Sequence, residues 1–157
     1  MNPIYVAVVG AGEADEEIAR LAEEVGQRLA QAGALVVCGG LGGVMEAACR
    51  GAKSAGGTTI GILPGSDRSG CNAFLDVAIP TGMGETRNAL IVRAADVVIA
   101  VGGEYGTLSE IAFALKTGTP VVGIRAWELV RDGETVEAFE RATSADEAVD
   151  KALSLAR

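Results

Sequence analysis

The sequence predicts an α/β fold: a Rossmann-like, doubly wound, mostly parallel sheet of about six or seven strands with helices on both faces. Three observations predict it. Short β-branched runs alternate with longer amphipathic stretches along the chain. The runs are apolar throughout instead of alternating with polar residues, as strands covered on both faces must be. They end in glycine-rich turns, and 22 of the 157 residues are Gly, about twice the usual share of ~7%. The length predicts a single domain over 1–157.

The elements follow in order. Ile4 to Val9 is the first strand. Residues 15–32 form a helix in which Ile18, Leu21, Val25 and Leu29 share one face. Acidic residues crowd its first turn, where the helix dipole favours them, and Gly33 closes it. Leu35 to Cys38 is the second strand, Gly39 to Gly43 a break, and 44–55 the next helix. Thr58 to Leu63 is the third strand, 65–73 a polar loop and Leu75 to Ile79 the fourth strand. A helix from Met83 to Ala95 precedes the fifth strand, Val97 to Val101. After the turn Gly102–Gly106, a helix spans Thr107 to Lys116 and leads to the sixth strand, Val121 to Ile124. Val136 to Phe139 reads as a short edge strand. Ser144 and Glu147 form a capping box that opens a last helix. Right-handed β-α-β crossovers place both glycine-rich turns at the carboxyl edge of the sheet, where ligands bind in such folds.

Composition removes whole classes of function. The net charge of −8 opposes a broad basic surface for nucleic acid or an anionic membrane. With one Trp, two Tyr and three Phe, a base-stacking platform is not expected. The chain has no His, which excludes His-based triads, His-ligated zinc and a His general base. Cys38, Cys49 and Cys71 are odd in number and widely spaced, arguing against a disulfide framework or a zinc cluster. No metal or bound cofactor is expected. The cysteine usage and the absence of a signal-like or membrane-length apolar run point to the cytoplasm.

Three groups could carry chemistry. In Cys38-GGLGG-Val44, a strand runs through glycines into a helix N-terminus, so backbone N–H groups could approach an anion. The run lacks the Gly-Lys-Ser/Thr of a Walker loop, and Gly10-Ala11-Gly12 lacks the third Gly of a dinucleotide fingerprint. The segment Gly102 to Glu110 repeats the strand–glycine–helix order, with Thr107 as an anion donor and Glu110 as a candidate catalytic carboxylate. Thr107 and Glu110 equally fit a capping box. With Leu108, Ile111, Ala112 and Leu115 as the apolar stripe, Glu110 lies ~200° from Leu108, away from the core. Arg87 sits on the inward stripe of Leu90, Ile91 and Ala94, so it must be paired or end in a polar crevice. Ser66 and Arg68 could close over a ligand or simply lie in a surface loop. Glu46 fits a helix start, and Cys38 fits the core.

Arg87 together with Gly106-Thr-Leu-Ser-Glu110 resembles the Lonely-Guy (LOG) superfamily, whose members were long mislabelled lysine decarboxylases. The resemblance runs from Val6 to about Ile124. Arg87 matches the family's catalytic Arg, and Gly103, Gly106, Thr107 and Glu110 match its Pro-Gly-Gly-x-Gly-Thr-x-x-Glu pattern. Gly40, Gly42, Gly43 and Met45 match its earlier glycine-rich loop, and residues 56–65 match its third strand. The sequence departs at Gly102, where the family has Pro, at Glu104, where it has Gly, and at Asn88, where it has Lys. Residues 81–103 are more similar to the subgroup that includes the algal molybdenum-cofactor carrier protein. The resemblance implies a nucleoside 5′-monophosphate as ligand, with Arg87 and Glu110 as catalytic residues and Gly40, Gly42, Gly43, Met45, Gly103, Gly106 and Thr107 holding the ligand. The family's hydrolases cleave the N-glycosidic bond to free base and ribose 5-phosphate. The alternative it implies is a non-catalytic carrier or sensor for a phosphorylated pterin such as the molybdenum cofactor. It also implies a homodimer or a higher homo-oligomer.

Overall fold

The computed structural model describes residues 2–156. Seven parallel strands form one sheet in the order β4-β3-β2-β1-β5-β6-β9. They are β1 (Tyr5–Gly10), β2 (Leu35–Cys38), β3 (Thr59–Leu63), β4 (Val77–Pro80), β5 (Val97–Val101), β6 (Val121–Ile124) and β9 (Glu140–Ala142). The remaining pair, β7 (Val130–Arg131) and β8 (Glu134–Thr135), is a separate antiparallel hairpin. Its turn residues Asp132 and Gly133 have φ of 53° and 79°, the left-handed pair that a tight hairpin requires.

Alternation along the central strands divides the core between the two faces. Val6, Val8, Val97, Ile99 and Val101 face α1 (Glu16–Gln31), α2 (Val44–Ser54) and α5 (Ala145–Leu155). Ala7, Val9, Val98 and Ala100 face α3 (Asn88–Arg93) and α4 (Tyr105–Thr117). Both faces of the inner strands are covered, which explains their uniformly apolar sequence.

Local chemistry fixes the helix ends. Asp15 caps α1 by accepting from the Ile18 N–H at 2.8 Å. Ser144 accepts from the Glu147 N–H, and Glu147 in return accepts from the Thr143 N–H, one residue before the reciprocal bond of the predicted box. Helices α1 and α2 cross at two glycines. A Cβ on Gly26 would lie 1.9 Å from the Ala48 carbonyl oxygen, and one on Gly51 would lie 1.9 Å from that of Glu23.

Three expectations are corrected. The helix expected over 83–95 is a 3-10 turn, Gly84–Arg87, followed by the six-residue α3. Its inward positions are Arg87, Ile91 and Val92, while Leu90 is exposed. The edge strand expected over 136–139 lies at Glu140–Ala142 instead. The Phe139 ring packs under Gly123, where a Cβ would come within 2.7 Å of it, and the ladder begins just after Phe139, at Glu140. Finally, α4 begins at Tyr105 with Glu104 as its N-cap residue, so Thr107 is inside the first turn and does not cap the helix.

Candidate functional site

Strand order reverses between β1 and β5, and the crevice at the carboxyl ends of such strands is where doubly wound sheets place ligands. A cavity of ≈ 230 Å³ opens at this point. Its floor is the end of β1, Val9 and Gly10, and its walls come from the 3-10 turn, α3 and the first turns of α4. The Ala11 carbonyl accepts from the Val44 N–H at 3.0 Å, which ties the loop after β1 to the start of α2.

Arg87 enters the cavity from the side. It is 5% exposed, and its guanidinium is held by neutral oxygens. Nε donates to the Ile62 carbonyl at 2.9 Å, Nη2 to the Gly39 carbonyl at 3.5 Å, and Nη1 to the side-chain oxygen of Asn88. Gly39 makes this possible, since a Cβ there would sit 2.8 Å from both Arg87 Nη2 and Met45 Sδ. None of the ion pairs among the described residues includes Arg87. A buried guanidinium with no carboxylate partner keeps its charge for whatever enters the cavity.

Helix α4 faces it. The buried stripe of α4 is Thr107, Glu110, Ile111 and Ala114, not the expected Leu108, Ile111, Ala112 and Leu115. Glu110 therefore points inward, 7% exposed, and Thr107 is 2% exposed. Both line the cavity. Neither side chain has a hydrogen-bond partner among the described residues, yet no fully enclosed polar atom is left unsatisfied. Their polar atoms thus reach the open cavity. Burial pushes the Glu110 carboxyl up to about 8, against the opposing pull of Arg87 and with help from the Glu85 charge. At neutral pH it is mostly protonated and can donate a hydrogen bond. No side chain caps α4 or α2, so the first-turn N–H groups of α4, and those of α2 other than the Val44 N–H held by Ala11, remain as donors.

The comparisons with known proteins match this architecture. The model of the SLOG cluster4 family matches residues 3–153. The chain belongs to the SLOG cluster4 family. An uncharacterized protein of Archaeoglobus fulgidus is 45% identical over 144 residues, 92% of this chain and 95% of that one. Among solved structures, the molybdenum cofactor binding protein of Rippkaea orientalis superposes with a TM-score of 0.91 at 35% identity. That match covers 100% of this chain and 99% of the other. The molybdenum cofactor carrier protein of Chlamydomonas reinhardtii gives 0.82 at 30% identity, covering 98% of both chains.

In this SLOG chain Arg87, Glu110, Met45, Gly106 and Thr107 meet in one cavity. The other four expected ligand-holding glycines do not line it. Gly40, at φ 76°, packs on Leu63 and Gly61, and its carbonyl accepts from the Asn72 N–H. Gly42 and Gly43 pack against the loop after β1, where a Cβ on Gly43 would lie 2.3 Å from the Ala11 oxygen. Gly103, at φ 126°, lies against Thr107. These glycines shape the walls and leave the lining to their neighbours. Gly39, Asn88, Glu85 and the lining run Gly10 to Gly12 were not among the site residues expected from the sequence. The Gly10-Ala-Gly12 pair was visible as a glycine turn after the first strand, and its position at the switch point was the usable signal.

The weaker candidates lie elsewhere. Arg68 is exposed, and its Nε donates to the Ala78 carbonyl on β4 at 3.1 Å. Ser66 is exposed in the same loop. Cys38 is fully buried with its sulfur 3.5 Å from that of Cys49. The Cys38 contact and burial push the Cys49 thiol well above its ordinary range. Among the described residues no acidic or cysteine cluster suits a metal ion, and no helix is long and apolar enough to cross a membrane.

Proposed function

We propose that the cavity binds a phosphorylated small molecule and that the chain acts as a carrier for a phosphorylated pterin of the molybdenum-cofactor kind. The observation that carries the anion reading is the buried, uncompensated Arg87 facing the unpartnered hydroxyl of Thr107. Arg87 would supply charge-assisted hydrogen bonds to the phosphate, and the first-turn amides and Thr107 would complete its cradle. The pterin reading is supported by the similarity to the cofactor binding and carrier proteins. At ≈ 230 Å³ the cavity falls below the usual ~300–1,000 Å³ of a small-molecule site. It would hold the phosphate end and leave the ring system at the mouth.

A second reading, N-glycosidic cleavage of a nucleoside 5′-monophosphate, is favoured by Glu110 lying opposite Arg87. Stabilising an oxocarbenium-like transition state calls for an ionised carboxylate. Burial keeps the Glu110 carboxyl mostly protonated at pH 7, which favours the carrier. The deciding experiment offers the protein molybdenum cofactor and, separately, AMP, and measures retention of each ligand and release of ribose 5-phosphate. Retention without turnover, lost in Arg87→Ala, is the carrier outcome; turnover lost in both Arg87→Ala and Glu110→Gln is the enzyme outcome. Retention unchanged in Arg87→Ala would defeat both. A cytoplasmic chain folding as one domain and assembling as a homo-oligomer completes the proposal. Edge strand β4, with Val77 45% and Ile79 47% exposed, is the surface a second copy would cover. Sedimentation of Ile79→Lys against the wild type checks it.

A further inference from the structure

The third acceptor on Arg87 comes from its own chain neighbour. Asn88 lines the cavity, and its side-chain oxygen accepts from Arg87 Nη1. Its amide nitrogen donates to Ser109 Oγ on α4 at 3.4 Å. The Ser109 hydroxyl in turn donates to the Gly106 carbonyl at 2.6 Å. Because that proton is committed to Gly106, Ser109 can only accept from Asn88. Because Arg87 can only donate, Asn88 must turn its oxygen toward the guanidinium. The two neighbours therefore fix the amide in one orientation. The result is a relay from Arg87 through Asn88 and Ser109 to the first turn of α4, two elements that meet across the cavity.

A guanidinium has five N–H donors, and three of them are engaged here. All three acceptors are uncharged. Those of Ile62 and Gly39 are main-chain carbonyls, whose chemistry no substitution at their own positions can change. The Asn88 acceptor is a side chain, and so its chemistry is a choice. A carboxylate at this position would form an ion pair with Arg87 and consume its charge. A Lys would offer no acceptor and would add a repelling charge. An amide takes one N–H in fixed geometry and leaves the charge intact.

We propose that Asn88 is a positioning and specificity residue: it aims the Arg87 guanidinium at the cavity and, as a neutral acceptor, reserves its charge for an anionic ligand. The inference rests on the anion reading given above, and two measurements separate the two claims. The first needs no ligand. The Arg87 Nε–Hε signal, assigned by its loss in Arg87→Lys, is followed by nitrogen-15 NMR. Asn88→Ala is expected to shift it and speed its exchange with solvent. The second titrates inorganic phosphate. Asn88→Asp is expected to weaken phosphate binding about tenfold or more, since the new carboxylate competes for the guanidinium. Ser109→Ala, which only loosens the relay, is expected to weaken it about two- to threefold.

A merely structural Asn88 would lower thermal stability in Asn88→Ala and Asn88→Asp alike without separating them in phosphate affinity. Asn88→Asp binding phosphate as the wild type does, while Arg87→Ala has lost it, would overturn the inference. So would an Arg87 signal unmoved in Asn88→Ala. A wild type that binds no phosphate would sink the anion reading and the charge-reserving half of the inference. The NMR result would still decide whether Asn88 positions the guanidinium.

Discussion

Glu110 couples the site to stability in a way that can be measured with no ligand present. Its carboxyl titrates near 8 in the folded chain against an ordinary 4.5. Below pH ~4.5 it is protonated in both states and costs nothing. Between pH ~4.5 and 8 the unfolded chain releases a proton that the folded chain retains, so stability falls as pH rises, and above 8 the penalty is complete. Glu110→Gln is therefore expected to be more stable than the wild type at pH 8, by on the order of 4 kcal/mol at most. The gain should vanish toward pH 4, as read from urea midpoints against pH. A flat difference across that range would show that Glu110 is not buried as described. Gly39 supports a second expectation. The nearest atoms a Cβ there would meet are the side-chain ends of Arg87 and Met45, not backbone, so Gly39→Ala is expected to fold, with the guanidinium pushed off its hydrogen bonds. By displacing the guanidinium it should weaken phosphate or AMP binding about tenfold. Arg87 was legible because a cation on an inward helical stripe has few explanations. Gly39 was not, because its role is to lack a side chain at one specific approach.

At the scale of the element, the start of α4 decides what its residues do. Reading the helix from Thr107 left Glu110 open to a capping role and set the apolar stripe one position off. The true start at Tyr105 puts Thr107 and Glu110 on the buried face. The sequence pattern misled because a functional helix here buries two polar groups, and a periodicity argument assigns polar residues to solvent. The α1–α2 crossing was hidden for the opposite reason. Gly26 and Gly51 read as ordinary interior positions of two amphipathic helices, where Gly only weakens a helix. In the structure each admits the partner's backbone to a distance that no Cβ allows. Gly26→Ala or Gly51→Ala is expected to destabilise the chain by ~2–4 kcal/mol in spite of Ala's better helix propensity. The sole Trp, Trp127, reports unfolding. Unchanged or raised stability would show that the helices have room to separate.

Charge acts on the whole molecule, and it opposes the site it surrounds. The chain carries −8 overall, and the exposed carboxylates of Glu85 and Glu104 stand at the cavity itself. The attracting charge, Arg87, is buried beneath them. A phosphorylated ligand of the proposed kind would therefore approach through a repelling field and be held by a short-range attraction that salt screens weakly. The parallel α/β architecture and the place of the two glycine turns at the carboxyl edge of the sheet were readable from the alternating runs, because a strand–helix alternation follows from periodicity. This division between exposed repelling carboxylates and a buried attracting guanidinium was not, because net charge says nothing of depth. It makes a distinctive kinetic expectation. Raising ionic strength from ~0.01 to ~0.15 M shortens the screening length from ~30 to ~8 Å, and the association rate of AMP should rise roughly two- to fivefold as repulsion is masked. The dissociation rate should change little, since the Arg87 contact is shielded from solvent ions. Replacing both Glu85 and Glu104 by Gln should raise the low-salt rate and flatten the dependence. An association rate that falls with salt, as for a ligand steered by an attracting surface, would mean that anions reach the chain by another face.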